Sequence, residues 1–207
     1  MDKPIVLFDF DRTLFDNTRY ASFLANKISR VLGINPEELH EIHMGFIALL
    51  KADREYDPEK YVYYLCERFN FGDQRRLLDV YYGEESKRQY KDFIFPEAFE
   101  ILDSLKKRYK LGIYSEGTLK FQKFKIYASE ITKEFDKDLI FILANKSIPS
   151  VLAKIPEGST VIDDKKSVCQ YLTESGIKCI WLNKKGEEDS KDFPTVHTLL
   201  EVKDKLL

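Results

Sequence analysis

Two aspartates one residue apart, Asp9 and Asp11, stand directly after the apolar run Ile5-Val6-Leu7-Phe8, and Thr13 follows two places on. A run of that kind, bounded by polar residues, suits a strand buried on both faces. Side chains alternate along an extended chain, so both carboxylates point the same way if the strand geometry persists to its end. Two carboxylates converging at the tip of a buried strand are costly to keep ionised. A divalent cation between them removes most of that cost, so metal chemistry is the first expectation.

The elements that must position these acids come in two kinds. From about Asp16 to Asp92 the periodicity is helical throughout. Asp16-Asn17-Thr18 offers caps for a helix through about Val31 that ends at Gly33, and Asn35-Pro36-Glu37-Glu38 opens another. Asp57-Pro58-Glu59 repeats the device for a helix through about Phe69. Asp73 caps a fourth, and Glu84 to Asp92 forms a fifth or a return segment. From Phe95 onward strand and helix alternate. Helices are expected over Pro96 to Arg108, with Phe99, Leu102 and Leu105 on one face, over Thr118 to Glu130, briefly after Lys146, over Lys166 to Ser175 and over Val196 to Leu207. Strands are expected at Lys110 to Tyr114, Leu139 to Leu143, Thr160 to Ile162 and Cys179 to Leu182. Strands separated by helices imply right-handed crossovers and a parallel sheet covered on both faces. The fold class is therefore α/β, a Rossmann-like parallel sheet flanked by helices with an all-helical insert.

Ligands of such sheets bind at the carboxyl ends of the strands. The polar residues there are Asp9, Asp11, Ser115, Asp163 and Asp164, with Lys146 a few residues past its strand. That set suits phosphoryl transfer: acids for Mg²⁺, a lysine and the metal for phosphate oxygens, and a hydroxyl with nearby backbone N–H groups as a cradle.

Asp9-Phe10-Asp11-Arg12-Thr13 resembles the DxDxT signature of the haloacid dehalogenase (HAD) superfamily, most of whose members are Mg-dependent phosphohydrolases. Ile113-Tyr114-Ser115-Glu116-Gly117 is similar to its second motif, Lys146 to its third, and Val161-Ile162-Asp163-Asp164 to its fourth. Two residues depart from the pattern: Arg12 replaces the usual glycine, and Glu116 stands where asparagine is commoner. The acid that some members carry four or five residues after the doublet is absent, with Val168 and Cys169 in its place.

The resemblance implies a catalytic core of residues 1–15 with 93–207 and a helical C1-type cap of residues 16–92. It implies Asp9 as nucleophile and Asp11 as general acid/base, and Ser115, Glu116, Gly117 and Lys146 around the phosphate. Mg²⁺ would sit on Asp9, the Asp11 carbonyl and Asp164, with Asp163 supporting or contacting Lys146. The activity implied is hydrolysis of a small phosphorylated metabolite through an aspartyl-phosphate. The superfamily's dehalogenases lack an acid at the position of Asp11 and need no metal. Alternatives are a phosphomutase or phosphotransferase using the same intermediate, or a non-catalytic binding module, which Arg12 and Glu116 would best support.

Composition sets the outer bounds. Among 207 residues, 33 basic against 35 acidic side chains leave a net charge of −2, with no electrostatic case for nucleic acid or an anionic membrane. No stretch approaches the roughly 20 apolar residues of a membrane span, and Met1-Asp2-Lys3-Pro4 does not read as a signal peptide. Cys66, Cys169 and Cys179 read as packed thiols of a cytoplasmic protein, monomeric or homodimeric. Tyr61, Tyr64, Leu65, Arg68 and Phe69 share a helix face, which reads as the insert's own core before it reads as a stacking platform. His40 and His43 lack a third ligand and read as solvated or packed.

Overall fold

The computed structural model describes residues 3–50 and 56–206; Met1, Asp2 and Leu207, which bounded two of the expectations above, lie outside them. Six parallel strands form one sheet: β1 (Ile5–Phe8), β2 (Lys110–Glu116), β3 (Ile140–Leu143), β4 (Thr160–Asp163), β5 (Lys178–Leu182) and β6 (Thr195–Val196). Their order is β3-β2-β1-β4-β5-β6. The chain builds outward from β1 in one direction and then restarts at β4 on its other side. The β1/β4 boundary is thus the topological switch point, where an open sheet leaves a crevice at its carboxyl edge. The register is tight there, with Phe8 beside both Ile113 and Ile162. The Asp9 N–H extends the ladder one residue further, donating to the Ile162 carbonyl at 2.8 Å.

Alternation divides the strand residues between two cores. Val6, Phe8, Ile113, Ile162 and Ile180 face one side with most of the helices. Leu7, Tyr114, Val161, Cys179 and Trp181 face the other, under α8 (Pro149–Leu152) and α9 (Lys166–Glu174). Gly112 is where β2 runs closest to its neighbours; a Cβ there would lie 2.5 Å from the Leu139 carbonyl oxygen and 2.6 Å from Leu7.

Between β1 and β2 lie α1 (Asn17–Leu32), α2 (Pro36–Leu49), α3 (Pro58–Phe69), α4 (Gln74–Tyr82), α5 (Glu84–Gln89) and α6 (Pro96–Leu105). The expected caps are in place: Asp16, Asn35, Asp57 and Asp73 each accept backbone N–H groups of the first turn, and Gly33 closes α1 at φ 72°. The chain leaves and re-enters the core through one paired stem. Asp16 N–H donates to the Phe93 carbonyl at 2.7 Å, and Phe95 N–H donates to Leu14 at 2.9 Å. Above that stem Phe15, Tyr20, Phe93 and Tyr90 pack ring against ring, and Tyr90 meets Phe124 of α7 (Leu119–Ala128). The helical block and the sheet therefore share one apolar cluster.

Two expectations fail locally. The segment from Val196 is no continuous helix: Thr195–Val196 pairs with β5 as a short strand, a 3₁₀ turn spans Leu199–Glu201, and only Val202–Leu206 is α-helical (α10). Two residues are too few for alternation to show in sequence. In α6 the buried stripe is Ala98, Ile101, Leu102 and Leu105, the i, i+3, i+4, i+7 set; Phe99 lies off it and is 45% exposed. Among the described residues no helix is long and apolar enough to cross a membrane.

Candidate active site

At the switch point a single lysine holds two acids. Lys146, wholly buried, donates from Nζ to Asp9 Oδ1 at 2.5 Å and to Asp163 Oδ2 at 2.6 Å. Its backbone is fixed as well. The Lys146 N–H donates to Glu116 Oε2 at 3.0 Å, and its carbonyl accepts from the Tyr114 hydroxyl at 3.1 Å. Asp163 Oδ1 accepts the Lys165 N–H at 2.9 Å, so both Asp163 oxygens are engaged. Burial raises the Asp9 pKa to about 6; Lys146 opposes that shift and the Asp163 charge adds to it. Burial pulls the Lys146 pKa down, yet the two carboxylates outweigh it and leave the ammonium firmly protonated.

Asp164 completes a three-carboxylate cluster. Oxygens of Asp9, Asp163 and Asp164 lie within 4.8 Å of one another. Asp164 Oδ2 accepts from Arg12 Nε at 2.6 Å, while Asp164 Oδ1 is buried with no hydrogen-bond partner. Burial and the Asp9 charge raise its pKa despite Arg12. Hard oxygen donors, an orphaned buried carboxylate oxygen and an excess of acid over cation fit a divalent metal ion such as Mg²⁺.

Arg12 reaches Asp164 at a backbone cost. Its φ is 63°, in the left-handed region, where a residue with a Cβ is disfavoured by roughly 1–2 kcal/mol. Here the usual glycine of the motif has a physical reason. Arg12→Gly is expected to melt above Arg12→Ala by about 1 kcal/mol in stability, since both lose the Asp164 pair and only glycine sheds the strain. Equal melting of the two variants would remove the strain from the account.

Asp11 lies elsewhere. Its carboxylate accepts from Gln122 Nε2 at 2.9 Å and pairs with the Lys125 ammonium, so its side chain is outside the cluster that Asp9 joins. The chain turns immediately after Phe10, with Leu14 and Phe15 N–H groups both returning to the Phe10 carbonyl, and strand alternation ends there. The expectation of a cation between the Asp9 and Asp11 side chains is corrected accordingly. Lys125 is 3% exposed and sits 5.2–5.7 Å from the ring centroids of Phe10, Phe15 and Phe121. Gln122 also donates to Ser115 Oγ at 2.7 Å, joining the tips of β1 and β2.

In the second motif β2 runs two residues beyond the expected Tyr114, to Glu116, and the Gly117 N–H donates to the Leu143 carbonyl at 2.9 Å. Gly117 itself has φ 154°, and a Cβ would stand 3.1 Å from Gln122 Oε1. Glu116, the unusual residue, is held by Lys165 Nζ at 2.9 Å and by Lys146 N–H. Burial opposes its charge, but these donors more than offset that and hold its pKa below the ordinary range. Nothing in the sequence singles out Gln122, Lys125 or Lys165; α7 carries Lys120, Lys123 and Lys125 with little amphipathic pattern to tell a buried lysine from exposed ones.

A cavity of about 910 Å³ opens from these strand tips into the helical block, with Asp11, Arg12, Glu116, Gly117, Gln122 and Lys125 on its sheet side. Thr118 Oγ1 donates to the Tyr56 carbonyl across it at 2.7 Å. His40 is exposed, whereas His43 packs edge-on against Tyr56 and Tyr61.

No protein-family model and no curated protein sequence matches the chain. Solved structures do match over their whole length. A protein from Burkholderia xenovorans described as a haloacid dehalogenase-like hydrolase is 22% identical over 100% of both chains, with a TM-score of 0.70. One from Thermotoga maritima described as a β-phosphoglucomutase is 20% identical over 99% of this chain and 100% of its own, at 0.67. A 2-haloacid dehalogenase from Pseudomonas syringae is 19% identical over 100% of this chain and 98% of its own, also at 0.67. The fold of this chain is that of the haloacid dehalogenase superfamily.

Proposed function

We propose that the protein is a Mg²⁺-dependent phosphatase acting on a small phosphorylated metabolite in the cytoplasm, with residues 16–92 as the cap that roofs the site. The observation that carries this reading is the switch-point cluster, in which Lys146 spans Asp9 and Asp163 and one Asp164 oxygen is left unsatisfied. Asp11 favours phosphoryl transfer over dehalogenation, because an alkoxide leaving group needs a proton and a carboxyl in reach can supply it.

An Asp9 oxygen attacks phosphorus, the bond from phosphorus to the ester oxygen breaks, and its electron pair leaves on the alcohol, which would take a proton from Asp11 entering in its protonated form and turned from Gln122 and Lys125. Asp11 then removes a proton from water, whose oxygen displaces Asp9 and yields inorganic phosphate. The residues that would hold Mg²⁺ are Asp9, Asp164 and the Asp11 carbonyl, with Asp163 in support. When bound, the ion supplies positive charge that lets an anionic nucleophile meet an anionic phosphate. Lys146 orients Asp9, and Ser115 stands ready to donate to a phosphate oxygen.

Stripping the protein with a chelator should abolish phosphate release from an aryl phosphate, and Mg²⁺ should restore it. Chloride release from a 2-chloroalkanoate by chelated protein, without any phosphatase activity, would replace this reading with dehalogenation. A second readout is thermal. Folded Asp9 holds its proton up to about pH 6, whereas an unfolded aspartate loses it near 3.8. The unfolded chain therefore binds fewer protons between those values, and the metal-free protein loses stability as pH rises through them. Mg²⁺ should accordingly raise the melting temperature more at pH 7.5 than at pH 5; a hundredfold excess over its Kd stabilises the folded protein by about 2.7 kcal/mol.

A further inference from the structure

Arg12 stands where the motif usually has glycine, on a backbone conformation that favours glycine. We propose that it is a positioning residue for the metal: through a single N–H it turns the Asp164 carboxylate so that one oxygen is kept free for Mg²⁺. This rests on the metal-dependent reading of the same site.

The carboxylates of the cluster are not held alike. Asp9 is held by the Lys146 ammonium, and Asp163 by that ammonium and by the Lys165 N–H. Asp164 has its main chain fixed, its carbonyl accepting from Trp181 Nε1 at 3.1 Å. Its side chain has Arg12 alone among the described residues: Oδ2 accepts from Nε at 2.6 Å, and Oδ1 has no partner. An arginine often grips a carboxylate with two parallel N–H bonds, which takes up both oxygens. Here Nε makes one bond and the fork is not used, so the pair leaves Oδ1 over. Without that bond no described residue orders the Asp164 side chain, and ordering it falls to the ion, at a cost in affinity.

A guanidinium beside a metal ligand acts in two opposite ways. Its charge repels the ion, while its hydrogen bond fixes the ligand. Solvent weakens the repulsion, since the Arg12 side chain is 48% exposed. The constraint on geometry is not screened, and the hydrogen-bonding partners of metal ligands are typically worth about ten- to a hundredfold in affinity. Orientation therefore wins. Asp164 also has an opening of its own. Its side chain is 12% exposed, and with Arg12, Asn17 and Trp181 it lines a second cavity of about 210 Å³. Arg12 lines this cleft and the larger cavity alike, so it stands beside Asp164 on the side from which that carboxylate meets solvent.

The test separates the N–H from the charge. Glutamine carries its amide nitrogen the same number of bonds from Cα as arginine carries Nε. Arg12→Gln thus keeps a donor for Asp164 and drops the charge, whereas Arg12→Met keeps the reach and loses both. The left-handed backbone is equally unfavourable in the two variants, so strain cancels between them. Titration calorimetry of the full chain with MgCl₂, without substrate, reads the Kd, and melting curves establish that each variant is folded. Arg12→Gln should bind Mg²⁺ within about threefold of the parent, and Arg12→Met about tenfold or more weakly. Arg12→Met with the parent's affinity overturns the inference and leaves the metal site standing. Equal weakening of both variants overturns it too, by assigning the effect to the charge, as does tighter binding by both, which makes repulsion the larger effect. A parent that takes up no Mg²⁺ brings down the metal-dependent reading and this inference together.

Discussion

Asp9→Asn is expected to cut turnover of every phosphate monoester by on the order of a thousandfold or more, and to prevent trapping of phosphate on the protein in acid-quenched samples. The amide is neutral and cannot displace an alkoxide, while its size and shape match the carboxylate it replaces. Lys146 keeps Asp163 as a partner at 2.6 Å, so the cation is not orphaned by the change. The stability signature runs opposite to the activity. Burial and the Asp163 charge raise the pKa of Asp9 in the metal-free protein, so removing its charge should raise the melting temperature near neutral pH. The same variant should lose most of the stabilisation that Mg²⁺ gives the parent. Robust turnover by the asparagine variant would eliminate Asp9 as the nucleophile.

Lys146→Met should be the most damaging single change to the site. Methionine fills a similar volume but leaves Asp9 and Asp163 buried near each other with no cation between them. Removing one partner of a buried ion pair costs roughly 3–5 kcal/mol. For a chain of this size that corresponds to a melting temperature lower by roughly 6–20 °C. The loss should shrink at pH 4 to 5, where the stranded carboxylates can take protons, and Mg²⁺ should recover part of it at pH 7.5. Activity should fall with it, because Asp9 loses the group that aims it. A Lys146→Met variant with the parent's melting curve at neutral pH would mean that the lysine does not hold the cluster together. Scans at two pH values, with and without Mg²⁺, separate these effects.

Asp9 and Asp163 were legible at the switch point because each ends an apolar run. Val6-Leu7-Phe8 and Val161-Ile162 can only be interior strands, and parallel strands deliver their last residues to one edge. Asp9 and Asp163 were therefore readable together despite their distance in sequence. Lys146 is three residues beyond β3 and depended on the motif order, since a lysine in a loop carries no burial signal of its own. The residues around Asp11 were hidden for the same reason. Nothing local marks Lys125 as buried, and its neighbours Phe10, Phe15 and Phe121 come from two regions far apart in the chain. Glu116 stands out from the motif only while Lys165 is unplaced, because the 2.9 Å contact between them spans two different strand ends. Tertiary pairing of charges was the missing information in each case.

The paired stem at Leu14–Asp16 and Phe93–Phe95 has a consequence for how such a protein can diverge. Exit and return lie one hydrogen bond apart, so everything between them could be exchanged for a tight turn without rerouting a single strand. The order of the strands thus does not depend on the path the chain takes through the intervening helices, although the two share one apolar cluster. On the phosphatase reading, the helices that would roof the site can change while the acids at the sheet edge stay fixed, and a shared fold need not mean a shared substrate.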